Sequence, residues 1–138
     1  MSDLNNIMQI SAAGMDVQTA RLKIVAENMA NANSTATTPG GEPYRRQTVT
    51  FKNVLDSASG LNLVQVDRVS TDRSALPTKY DPSHPAADAQ GYVKQPNVNM
   101  LVEAMDMREA QNDYEANLSE EQIANSMETK TINLLSGK

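Results

Sequence analysis

Met8, Met15, Leu22 and Met29 recur every seven residues along the opening stretch of this chain. Leu4, Val25 and Ala32 hold the companion position of the same heptad, and Ser11 and Gln18 interrupt that row. Apolar residues at three-to-four spacing make an amphipathic helix, and a strict repeat of seven makes a seam between supercoiled helices. A helix of about 30 residues is roughly 45 Å long, more than a small domain of its own can cover. The spacing predicts a long helix over 1–33 that lies against other helices, some of them in other chains. The plainer alternative is one helix of an ordinary bundle.

A second helical stretch closes the chain, over 99–138. Pro96 ends the preceding loop, Asn97 or Asn99 is placed to cap the helix, and Glu103 and Asp106 suit the positive end of its dipole. Its apolar row runs Met100, Ala104, Met107, Gln111, Tyr114 and Leu118, then continues at Ile123, Met127 and Leu134. That jump shifts the row by two heptad positions, so the supercoil is expected to adjust, or the helix to bend, around Ser119.

Residues 34–98 change character. Ser34, the threonines after it, Pro39, Gly40, Gly41 and Pro43 end the first helix and force a loop. Tyr44 to Phe51 alternates like a strand, Leu61 to Val69 is a second, and Leu76 to Tyr80 is a short third whose Pro77 confines it to an edge. Asp81 to Gln95, with Pro82, Pro85, His84 and Gly91, reads as an ordered, irregular loop. The expected fold is mainly α, with paired N- and C-terminal helices and a small β-hairpin and loop segment between them.

Leu, Ile, Val and Phe together make only 26 of the 138 residues, at the border between folded and disordered chains. Eight methionines and sixteen alanines supply much of the remaining apolar surface, which suits closely packed helices and a thin core. The net charge of −5 falls mostly on 99–138, where eight acids meet three bases. With no basic stripe and few aromatics, nucleic acid is not an expected partner. No stretch approaches the roughly 20 apolar residues of a membrane span. Asp3, Asn5 and Asn6 break the start that a cleaved secretory signal needs, so any export is expected to be unprocessed.

Catalytic chemistry is poorly supplied. There is no cysteine, and the one histidine sits in Pro82-Ser83-His84-Pro85, a stiff turn and a poor seat for a nucleophile's partner. Asp81, His84 and Asp88 offer three ligands without a second histidine, a weak metal signal. Gly40-Gly41 lacks the lysine and the strand–helix setting of a phosphate cradle. No enzyme activity, metal or cofactor is expected. Asn28 and Asn31, one turn apart beside Val25 and Met29, either end the helix or bond a neighbour's backbone and so set axial register. The segment containing Asp81, Pro82, His84, Pro85 and Asp88 is read as an interface loop, because two prolines lower the entropy of ordering it.

Three stretches resemble the bacterial flagellar rod and hook proteins, and within them a component of the proximal rod. Ser11-Ala12-Ala13-Gly14-Met15 through Ala26-Glu27-Asn28-Met29-Ala30-Asn31-Ala32-Asn33 is similar to their N-terminal signature. Gly40 to Gln47 is similar to the segment that comes after that signature in the proximal-rod branch. Asp81-Pro82-Ser83-His84-Pro85, Gly91-Tyr92-Val93 and Pro96-Asn97-Val98-Asn99 lead into Glu103-Ala104-Met105 and Tyr114-Glu115-Ala116-Asn117, the shared C-terminal signature. The resemblance implies a structural subunit of the basal body, exported by the flagellar type III apparatus. It would assemble helically with itself and other rod proteins into the drive shaft across the periplasm. It also implies that the terminal helices pair as an antiparallel coiled coil. The competing reading is a helical adaptor or chaperone that binds one partner's amphipathic helix.

Overall fold

A computed structural model describes residues 2–137. In chain order the elements are helix α1 (Ser2–Ala30), strands β1 (Gln47–Leu55), β2 (Asn62–Thr71), β3 (Thr78–Tyr80) and β4 (Tyr92–Lys94), and helix α2 (Met100–Leu135). The two long terminal helices pack together, with two small antiparallel sheets between them in sequence, as expected. Neither helix is long and apolar enough to cross a membrane.

Local chemistry sets the helix ends. The Asn31 side chain donates back to the Glu27 carbonyl at 2.9 Å, and the Ser34 amide bonds the Asn31 carbonyl at 3.0 Å, closing the last turn of α1. At the start of α2 the cap is Asn99: its Oδ1 accepts the amides of Leu101 and Val102 at 3.0 and 3.3 Å. Asn97, the other candidate, accepts the Arg46 amide instead.

By density of contacts the chain forms two compact units. The first comprises residues 2–22, Thr50–Arg68 and 108–137. Within it Ser11 Oγ donates to Glu120 at 3.4 Å, and Arg21 bonds Glu109 at 2.9 Å. Ser11, Val17, Ala110 and Ala124 are buried. A later residue of α1 thus meets an earlier residue of α2, as an antiparallel pair requires. The contact is close because its residues are small. A Cβ built on Gly14 would stand 2.6 Å from the Asn117 side-chain oxygen. Alanine there gains about 1 kcal/mol of helix propensity, but its methyl would also stand 2.8 Å from Asn117 Cγ, so the whole Asn117 side chain, bonded to the Asp113 carbonyl at 2.9 Å, has to shift. Valine leaves less room still. Gly14→Val is expected to lower stability by about 1–3 kcal/mol through overpacking. An unchanged thermal midpoint would show that the helices do not approach this closely.

The outer part of the β1–β2 hairpin belongs to the same unit. Asp56 closes its turn, accepting the Ser59 amide at 2.9 Å, while its carbonyl accepts the Gly60 amide at 2.7 Å. The Ser59 hydroxyl, which also donates to this carboxylate, and then the Ser59 amide hold the Asp56 carboxyl below its ordinary value. Gly60 has φ +72°, a conformation that glycine adopts without penalty.

The second unit comprises residues Lys23–Val49 and Val69–Met107, and buries Val25, Asn28, Ala86, Val93 and Glu103. In it β3 and β4 pair antiparallel, Thr78 with Lys94, Lys79 with Val93 and Tyr80 with Tyr92. Strand β4 lies where the sequence reads as irregular loop. Three residues are too few to show a period, and the strand exists because β3 pairs with it. Pro77 precedes β3 and its carbonyl accepts the Gln95 amide at 2.7 Å, so no donor is missed.

Along α2 the buried residues are Glu103, Ala110 and Ala124, with half-buried Asn117 between the alanines, an even spacing of seven. This row runs without a shift, and α2 is continuous through Ser119. The shift read from the sequence belongs to the larger apolar residues, which lie elsewhere on the helix.

Candidate functional site

The most closely determined side chains form a polar hub in the second unit. Asn28 on α1 is 1% exposed. An amide side chain has two donor hydrogens and an acceptor oxygen with two lone pairs, and Asn28 uses all of them. Its Nδ2 donates to the Gln47 carbonyl at 2.8 Å and to Glu103 Oε2 at 3.1 Å. Its Oδ1 accepts the Tyr44 hydroxyl and the Gln47 amide, each at 2.8 Å. Asn28 therefore meets the first residue of β1 as a neighbouring strand would, through both backbone groups.

Glu103 on α2 is 0% exposed. Its Oε1 accepts Arg46 Nε, and the same guanidinium reaches Asp106 at 3.3 Å and Asp72 at 4.0 Å. A buried carboxylate is tolerated only with such partners. The Arg46 amide donates to Asn97 Oδ1 at 2.7 Å, and Asn97 Nδ2 donates to the Asp72 carbonyl and Ser74 Oγ, both at 3.0 Å. Burial, then the carboxylates of Glu27 and Glu103, pushes the Tyr44 phenol above its ordinary value, so it remains a donor to Asn28. The Ser74 backbone amide, ahead of its hydroxyl and the two arginines, holds the Asp72 carboxyl below its usual range.

Of the residues singled out in the sequence, Asn28 is a member of this hub, whereas Asn31 bonds Glu27 of its own helix. Val25 is buried. Met8, Met15, Leu22 and Met29 are half-buried, as are Met107 and Tyr114. Leu118, Ile123, Met127 and Leu134 are exposed, the last three at 60%, 53% and 81%. Sequence pattern does not mark Tyr44, Arg46, Asn97 or Glu103 as site residues. Glu103 carries a signal in its place on the first turn of α2, but an acid there has the helix dipole as sufficient explanation.

In the Asp81–Asp88 loop, His84 Nδ1 accepts the Ala86 amide at 3.0 Å. In neutral imidazole this leaves the proton on Nε2, which faces Thr35 Oγ1 at 3.3 Å. Asp81 accepts the Ser83 hydroxyl, and Asp88 accepts the amides of Gln90 and Tyr92. Pro82, Ser83 and Pro85 are exposed, and the Ala86 carbonyl accepts the Gly40 amide at 3.1 Å. Gly91, at φ +88°, makes the turn into β4, and a Cβ there would stand 2.9 Å from the Tyr80 ring. Among the described residues no group of three acidic or histidine side chains is placed to hold a metal.

Residues 89–134 match the family described as flagellar basal body rod FlgEFG protein C-terminal. The chain is similar to the flagellar basal-body rod protein FlgC of Agrobacterium fabrum, with 48% identity over 98% of this chain and 97% of that protein. FlgC of Salmonella typhimurium is 39% identical over 95% of this chain and 97% of its own length. FlgC of Bacillus subtilis is 32% identical over 92% and 95%. Identity of this depth, over nearly the whole of both partners in each comparison, decides the family: the chain belongs to the FlgC flagellar basal-body rod proteins, which are structural subunits and not enzymes.

Proposed function

We propose that the chain is a building block of the proximal rod, reaching it through the flagellar type III apparatus. There it packs with other rod proteins and with further copies of itself in a helical assembly. In this reading 1–33 and 99–138 are the assembling helices, and 34–98 is the outer, β-containing part. Met8, Met15, Leu22, Val25, Met29, Met107 and Tyr114 support the helix pair from within. Leu118, Ile123, Met127 and Leu134 meet neighbours. The exposed prolines of the Asp81–Asp88 loop are a second contact, and Asn28 holds axial register by tying α1 to β1.

One observation carries the reading. A chain poor in large apolar residues leaves Leu101, Met105, Ile123, Met127, Leu134 and Leu135 all more than half exposed on one helix. Exposed apolar surface of this extent marks an interaction face. Ile123→Asp tests it. At a site 60% exposed in the isolated chain, the change is expected to alter monomer stability by no more than about 0.5 kcal/mol. In a dry contact between subunits a carboxylate costs several kcal/mol, so rod incorporation and swimming should fail. Normal motility of the variant would remove Ile123 from any interface. Tight one-to-one binding of a single helical peptide, with no incorporation into rods, would favour the adaptor reading.

A further inference from the structure

We propose that a polar cleft beside the Asp81–Asp88 loop binds one acidic sugar unit, a pyranose that carries a single carboxylate. The cleft lies wholly within the second unit, has a volume of about 260 Å³, and uses no residue of either long helix. At roughly 30 Å³ for each water it has room for about eight or nine of them, the space of one hexose ring with its substituents. Its place follows from the strands. Lys79 of β3 stands opposite Val93 of β4, and alternation puts both on one face of the pair while Tyr80 and Tyr92 take the other. Val93, 1% exposed, is the apolar floor of the cleft. Asn33 and Thr35 line it from the chain after α1, Gln95 from the end of β4, and Asp81 and His84 from the loop.

Hydrogen-bonding capacity in this cleft is unspent. Among the described residues, neither the Lys79 ammonium nor the side-chain amides of Asn33 and Gln95 have a protein partner. His84 Nδ1 is occupied by the Ala86 amide, so neutral imidazole donates from Nε2 to Thr35 Oγ1. The Thr35 hydroxyl therefore keeps its own hydrogen for the cleft. One Asp81 oxygen accepts the Ser83 hydroxyl, and the other is left over. Such a set is no cradle for a bare anion, because its one ammonium is matched by one carboxylate. Amides and hydroxyls both donate and accept, so Asn33, Thr35, Gln95 and the free Asp81 oxygen suit a row of ring hydroxyls. Lys79 suits one carboxylate. A ligand that carries both is an acidic sugar.

The test titrates galacturonate into the full-length chain and follows its amide chemical shifts. The amides of Lys79, Asp81, His84 and Gln95 are expected to shift saturably in the millimolar range, the scale of a small ligand held by a few hydrogen bonds. Galactose, the same ring without the carboxylate, should bind about tenfold more weakly, the worth of one hydrogen bond to a charged group. Lys79→Met changes an exposed side chain and should erase that difference by weakening galacturonate alone. Asn33→Ala, also exposed, should weaken both sugars alike, by about threefold. Lys52→Met, on the hairpin of the first unit, should weaken neither. Trigalacturonate distinguishes the two sources of such a ligand. Binding at least as tight as galacturonate's upholds the proposal with the end of an acidic polysaccharide as ligand, and loss of binding upholds it with a free monosaccharide. Acetate that binds as tightly as galacturonate would reduce the cleft to a bare anion site and overturn the proposal. So would equal affinity for galactose and galacturonate, a loss of binding in Lys52→Met, or no saturable shift up to about 50 mM sugar.

Discussion

Arg46→Ala should lower the stability of the folded chain by about 3–5 kcal/mol, the cost of breaking a buried ion pair from one side. The size follows from Glu103, which has no exposed surface and takes its charge partner from Arg46 Nε. Once the guanidinium is gone, the carboxylate keeps, among the described residues, the Asn28 amide at 3.1 Å. Asp106 and Asp72, at 3.3 and 4.0 Å from the same guanidinium, each lose one of the positive charges that offset them. The backbone bonds of Arg46 to Asn97 and Asp72 survive in alanine, so the loss reports the side chain. Urea denaturation of wild type, Arg46→Ala, Glu103→Leu and the double variant measures it. The double variant should recover part of the loss, because no buried charge is then left unpaired, although one Asn28 N–H loses its Glu103 acceptor. A loss below about 1 kcal/mol in Arg46→Ala would mean that water reaches Glu103 and that the hub is not a closed site.

The second large effect is expected at Asn28. Asn28→Ala removes four hydrogen bonds at once and leaves the Tyr44 hydroxyl, both backbone groups of Gln47 and one Glu103 oxygen without that partner. Each buried group left unsatisfied costs about 1–3 kcal/mol. Water entering the vacated space offsets part of this, so a net loss of about 2–4 kcal/mol is expected. Amide exchange at Gln47 gives a local readout, since its N–H is bonded to the Asn28 side chain. Its protection should fall much further than that of Gln95, which is held by Pro77. Asn28→Asp should be no milder. It keeps the acceptor but loses the donor and sets a second carboxylate beside Glu103. Equal protection of Gln47 in wild type and Asn28→Ala would show that the helix does not hold the start of β1.

These two residues mark how far the sequence could be read. The repeat of Met8, Met15, Leu22 and Met29 and the apolar residues of 99–138 announced two long helices, and turn residues between them announced short strands. All of this is local chemistry, written in neighbouring residues. Strand β4 was missed because three residues have no period of their own. Asn28 stands out for its place beside the heptad, yet its three partner residues include Gln47, nineteen positions away, and Glu103, seventy-five positions away. No spacing within a helix reports such a pairing.

What the sequence determined by itself was the architecture: two long terminal helices, the polar middle and the scarcity of large apolar side chains that makes the core thin. Which face each helix buries was decided only by tertiary structure. Periodicity pointed to the larger residues of α2, but the buried row is Glu103, Ala110 and Ala124, while Ile123, Met127 and Leu134 are left outside. The physical reason is distance. Small side chains let two backbones approach closely, and a polar side chain can share that interface when every donor and acceptor is met from another segment. Hydrophobic pattern ranks residues by their own preference for water. Whether Asn28 and Glu103 can be buried depends on partners that only the fold brings within about 3 Å.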